Sequence, residues 1–205
     1  MIVFKNLSQF FTVMKRNSQL LFILIFLLVS AITNAQSKKF DTTVKMGDQG
    51  FHVESSNKAP DKNDVTVSVI NIRINSTNPV FRAPGVVTKA MVDDLNDDGK
   101  PDLMVCVYSG SNNEMGSIIS ISPTADKSIE PVYFPDIFLD PKIREGYKGY
   151  DQFSTLTGTL LRKFPIYLPT DTDKPTGGTR TIQYNVTKEE GRLSFKVLRF
   201  YDVKS

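Results

Sequence analysis

No tryptophan occurs among the 205 residues, and cysteine and histidine occur once each. Cys106 has no partner in the chain, so no internal disulfide can staple the fold. It lies in the apolar run LMVCVY (103–108), where a thiol behaves as a small buried hydrophobe. A catalytic thiolate needs a basic partner, and the lone His52 sits in a polar stretch some way upstream. A Ser-His-Asp triad would depend on that same imidazole, so His52 reads as an ordinary surface residue. Helical periodicity is scarce too, with one short turn suggested by DPKIREGYKG (140–149).

The one long apolar run, LLFILIFLLVSAI (20–32), falls short of the roughly 20 residues that span a bilayer. It follows Lys5, Lys15 and Arg16 with no acidic residue, and Thr33, Asn34 and Ala35 come after it. That order is the anatomy of a secretory signal peptide. We therefore expect residues 1–35 to be cleaved after Ala35, giving a periplasmic or extracellular protein that meets the membrane only through that segment. The formal charge of +3 belongs to this leader: losing three of 25 basic residues leaves 22 against 22 acidic ones. A near-neutral mature chain lacks the basic patch that phosphate binding needs, which excludes nucleic acid as a partner.

What remains reads as strands. Residues 36–64 form a polar leader with one strand near Gly50 to Glu54, followed by a single β-rich domain over 65–205. VTVSVINIRI (65–74) alternates, and VVTKAMV (86–92), LMVCVYS (103–109) and SIISIS (117–122) follow. PVYFPDIFLDP (131–141) is broken by proline and suits an irregular segment or edge strand. TLLRKFPIYL, TIQYNV and RLSFKVLRFYDV complete the set, the last after a tight turn at KEEG. Short strands without intervening helices predict an all-β fold, an antiparallel β-sandwich or barrel-like domain with short irregular or helical connections.

Between two of these strands lies DLNDDGKPDL (94–103). Asp94, Asn96 and Asp98 offer side-chain oxygens, Lys100 a backbone carbonyl and Asp102 a closing carboxylate, a hard-oxygen set of the kind calcium takes. Gly99 supplies the turn, and packed carboxylates repel one another without a cation. An EF-hand would carry Glu where Val105 stands. The pattern instead resembles the calcium loop of FG-GAP repeats in integrin propellers. We expect structural Ca2+ at Asp94, Asn96, Asp98, Lys100 and Asp102, against the alternative of an ion-free acidic hairpin.

A longer stretch, from VTVSVINIRI through NPVFRAPGVVTKAMVDDLNDDGKPDLMVCVYSGS, resembles the periplasmic inhibitors of invertebrate-type lysozyme. GYDQFS, LLRKFPIY and PTGGTRTIQYNV are similar to a segment of the same group of exported proteins. The resemblance implies a small β-rich protein, not an enzyme, that blocks a lysozyme by inserting a loop into its cleft. The matching loop here spans 108–117, with Ser109, Gly110, Ser111, Asn112, Met115 and Ser117 as inhibitory candidates. Ser and Asn side chains can hydrogen-bond catalytic carboxylates, and glycine lets backbone enter a narrow groove. Asn113 stands where that loop has a tyrosine, and Glu114 adds an acidic group. The competing reading is a calcium-braced envelope protein with a structural or ligand-binding role. No carboxylate pair stands out as that of a glycosidase. GGTR (177–180) reads as a hairpin turn with a surface Arg180, and Asp171 with Asp173 is too thin a set for a second cation site.

Overall fold

The computed structural model describes residues 38–75 and 77–204, so the expected signal peptide lies outside the described residues. The described chain is all-β. Four strands, β1 (Phe40–Met46), β2 (Gln49–Ser55), β3 (Asn63–Ile70) and β4 (Val80–Ala83), form an antiparallel sheet in sequence order. The strand expected near Gly50 to Glu54 is β2, and residues 38–64 also hold β1 and the start of β3. β1 carries its half-buried positions on alternate residues, and β2 buries Phe51 and Val53. β3 ends earlier than its alternation suggests. Asn71 adopts φ +55° and donates through Nδ2 to the Asp48 carbonyl, turning the chain out of the sheet.

The second sheet has eight strands: β5 (Val86–Asp93), β6 (Asp102–Ser109), β7 (Met115–Pro123), β8 (Ile129–Tyr133), β9 (Gln152–Thr155), β10 (Leu160–Pro165), β11 (Thr179–Glu189) and β12 (Arg192–Val203). Their order is β5-β6-β7-β8-β12-β11-β10-β9. All pairings are antiparallel except β8 with β12, which run parallel through Val132–Leu193 and Tyr133 with Ser194. The sheet is therefore mixed, not purely antiparallel. It curls until its two edges nearly meet: the Lys89 ammonium of β5 donates to the Phe153 carbonyl of β9 at 2.9 Å. The result is a nearly closed barrel carrying a smaller sheet.

Two cores follow from this arrangement, and β6 belongs to both. Met104 and Cys106 point into the barrel with Phe153, Phe164, Tyr184 and Phe195. Leu103, Val105 and Val107 point out to meet Phe51, Val65 and their neighbours on the four-stranded sheet. A strand covered on both faces has no solvent side, which is why LMVCV reads as an unbroken apolar run. Each such side chain contributes about 1.5–3 kcal/mol on burial. The KEEG turn is a two-residue hairpin with Glu190 and Gly191 both at positive φ, 48° and 79°.

The proline-broken segment after β8 forms a short 3-10 turn at Ile137–Leu139, capped by the Asp136 carboxylate. One helical turn follows, closed by the Arg144 N–H on the Asp140 carbonyl at 3.0 Å.

Candidate functional site

The β6–β7 hairpin presents the candidate loop at one end of the barrel. Gly110, Ser111, Asn112 and Asn113 are exposed, and Ser117 is exposed at the start of β7. Ser109 and Met115 are half-buried and pair across the base of the hairpin. Asn113 turns the chain at φ +55° and donates its N–H to the Gly110 carbonyl at 3.3 Å. The Glu114 carboxylate folds back over Gly110 and accepts the Asn112 N–H at 2.8 Å. The acidic group is thereby used within the loop.

Beneath the hairpin lies a polar cluster inside the barrel. Arg162 alternates in phase with Leu160 and Phe164 on β10, so it points inward. Its Nε donates to Asp151 Oδ1 at 2.6 Å, and both side chains are almost wholly buried. Nη2 donates to the Gly116 carbonyl at 3.1 Å and to the Tyr147 hydroxyl at 2.9 Å. Asp151 Oδ2 accepts the Gly116 N–H at 2.7 Å and the Tyr147 hydroxyl. Tyr108 donates to the Asp151 carbonyl at 2.8 Å. The guanidinium also lies 5.2–5.7 Å from the ring centres of Tyr147, Phe134 and Phe153, within cation–π range.

Burial opposes the charge on Arg162, but the Asp151 carboxylate outweighs it and holds the guanidinium firmly protonated. Burial pushes the Tyr108 hydroxyl up to about 12 and raises Tyr147 further. Gly116 has to be glycine, because a Cβ there would fall 2.6 Å from Asp151 Cβ and 2.8 Å from the Phe153 ring. The base of the hairpin is thus bolted to a buried ion pair. Beside it opens a cleft of about 370 Å³ lined by Ser109, Met115, Ser117, Phe134, Tyr147 and Arg162, among others.

At the other end of β6, the acidic loop turns through Gly99 at φ +77°. Asp94 accepts the N–H groups of Asp98 and Gly99 at 3.0 and 2.8 Å, and Asn96 Oδ1 also accepts that of Asp98. Asp98 accepts the Lys100 N–H at 2.9 Å. Asp93 faces away, bridging to the Gly158 N–H at 3.3 Å. Asp102 is 1% exposed; its Oδ2 accepts the Leu95 N–H at 2.8 Å, while Oδ1 has no hydrogen-bond partner. Burial above all, with the charges of Asp98 and Asp94 adding, lifts its pKa to about 6, against a pull from Ser122 and the Leu95 N–H. An orphaned buried carboxylate oxygen beside two further carboxylates and an amide fits a hard cation. These carboxylates do not converge as closely as Asp41, His52 and Glu54, the three-residue cluster whose ligand atoms all lie within 4.8 Å among the described residues.

Arg180 is a buried clamp and not a surface residue of the GGTR turn. It is 6% exposed, grips Asp202 through two nitrogens at 2.7 and 2.8 Å, and donates to the carbonyls of Lys142, Ile143 and Glu145. Asp171 spends its oxygens on Leu168 and Thr176. Cys106 is buried as expected, and burial pushes its thiol up to about 12. The Arg162–Asp151–Tyr147 cluster escaped the reading of the sequence, although an arginine in phase with Leu160 and Phe164 was its signal. The chain matches no protein-family model and no characterised protein.

Proposed function

We propose that the chain is an exported binding protein, acting by occupancy and not by catalysis, that blocks a lysozyme cleft with the Ser109–Ser117 hairpin. The observation that carries this reading is the pairing of an exposed polar tip with a base fixed by a buried ion pair. A loop already held in one shape loses little freedom on binding, and that saving goes directly into affinity. Ser109, Ser111 and Asn112 supply donors for the paired carboxylates of a glycosidase, and Gly110 keeps the tip narrow. Glu114 is occupied by the Asn112 N–H, which weakens its repulsion towards those carboxylates.

Calcium held by Asp94, Asn96, Asp98, the Lys100 carbonyl and Asp102 would brace the turn from which β6 springs. Support for this comes from the loop, which is held in shape by hydrogen bonds from its own amides and buries the Asp102 carboxylate. A second reading, favoured by the cleft beside Arg162, is a calcium-braced envelope protein that takes a small ligand and inhibits nothing.

Titration of the mature protein into cell-wall lysis by invertebrate-, chicken- and goose-type lysozymes separates the two. Saturable inhibition of one type, weakened about tenfold or more by Ser111→Ala with Asn112→Ala at unchanged melting temperature, supports the plug. Absence of inhibition at micromolar protein, or equal inhibition by the variant, rules it out.

A further inference from the structure

Away from both ends of β6, strand register assembles a cluster of mixed donors on the outer face of the four-stranded sheet. β1 and β2 pair so that Asp41 lies opposite Glu54 and Thr43 opposite His52. Residues two apart on a strand share a face, so all four side chains project together, opposite Phe51 and Val53. His52 Nε2 stands 3.5 Å from Asp41 Oδ1 and 3.7 Å from Glu54 Oε2. A tetrahedral ion with bonds of about 2.0–2.2 Å separates neighbouring ligand atoms by roughly 3.3–3.6 Å, close to this spacing.

The other imidazole nitrogen is engaged: Nδ1 lies 3.0 Å from the Thr43 hydroxyl. Metal-bound histidines are oriented in this way, with one nitrogen held by an outer partner and the second left for the ion. The carboxylates already share one cation. Lys39 Nζ sits 2.9 Å from Asp41 Oδ2 and 2.9 Å from Glu54 Oε1. It uses the far oxygen of each group and leaves Oδ1 and Oε2 facing the imidazole.

We propose that Asp41, His52 and Glu54 form a surface zinc site, with Thr43 positioning the imidazole and solvent completing the coordination. An imidazole with two carboxylates suits zinc better than calcium or magnesium, which take oxygen alone. The composition leaves few rival donors. His52 is the only imidazole in the chain, and the only thiol, Cys106, is buried inside the strand that both cores share.

The test is competition between the untagged mature protein and a chromophoric chelator for Zn2+. One equivalent bound, with affinity falling at least about tenfold in His52→Ala and in Glu54→Gln and by a comparable factor in Thr43→Val, supports the site. Asp41, His52 and Glu54 are exposed or half-buried, so circular dichroism should show these variants folded. Asp94→Asn with Asp98→Asn should keep the zinc, which separates this site from the acidic loop. No saturable binding by the wild-type protein, or an affinity unchanged in His52→Ala, overturns it.

Discussion

Replacing Arg162 by methionine isolates the contribution of the ion pair beneath the hairpin. Methionine keeps much of the apolar stem but removes the three hydrogen bonds from Nε and Nη2 and the cation among three rings. The Asp151 carboxylate then stays buried with only the Gly116 N–H and the Tyr147 hydroxyl as donors. Breaking a buried pair from one side costs about 3–5 kcal/mol, chiefly because the surviving charge has no counter-charge. For a domain of this size that is a fall in Tm of roughly 6–20 °C, at about 2–4 °C per kcal/mol. Adding Asp151→Leu removes the stranded charge, so the double variant should be less destabilised than the two single losses together, by about 1–3 kcal/mol. Urea unfolding of the four proteins measures this coupling, and amide exchange at Met115–Ser117 should speed up in the single variant. A loss below about 1 kcal/mol for Arg162→Met, or strict additivity in the cycle, would refute the reasoning.

Asp102 gives the pH test. Its carboxyl titrates at about 6 in the fold against an ordinary 3.8, so protonation favours the folded state. The stability it contributes is present at low pH and is lost as pH rises from about 4 to about 6, an effect of up to ~3 kcal/mol. With calcium chelated at pH 7.5, Asp102→Asn should therefore be more stable than the wild-type protein and show a flatter profile between pH 4 and 6; a less stable variant contradicts this. Cys106 should resist thiol reagents at pH 8 in the native state and react fully once unfolded, since burial has pushed its pKa to about 12. Rapid native labelling would place it elsewhere than in the core.

The strands were legible wherever apolar residues dominated a face. β3, β5, β6 and β7 each announce themselves through β-branched runs bounded by turn residues. β1 did not, because FDTTVKM carries few strong apolar residues and pairs with β2 alone, whereas the strand expected near Gly50 to Glu54 is β2. The parallel contact between Val132 and Leu193 joins segments far apart in sequence, and nothing local encodes it. Arg162 and Arg180 were passed over because charge suggests solvent, whereas each is buried against a carboxylate that lies elsewhere in the chain. The acidic loop was legible as a turn between two strands, which is where it lies. The cluster proposed for zinc left no such mark, since Asp41 and Glu54 meet only through register.

The doubly covered strand β6 also bears on how this protein can change. Along β2 or β3 every second position faces outwards, so sequence drift has room on alternate residues. From Leu103 to Val107 no such room exists, because each residue answers to one of two cores. Divergent relatives should keep that pentapeptide apolar throughout while the loops at its two ends vary. The strand thereby forms a fixed axle, and its end loops can change without renegotiating the fold.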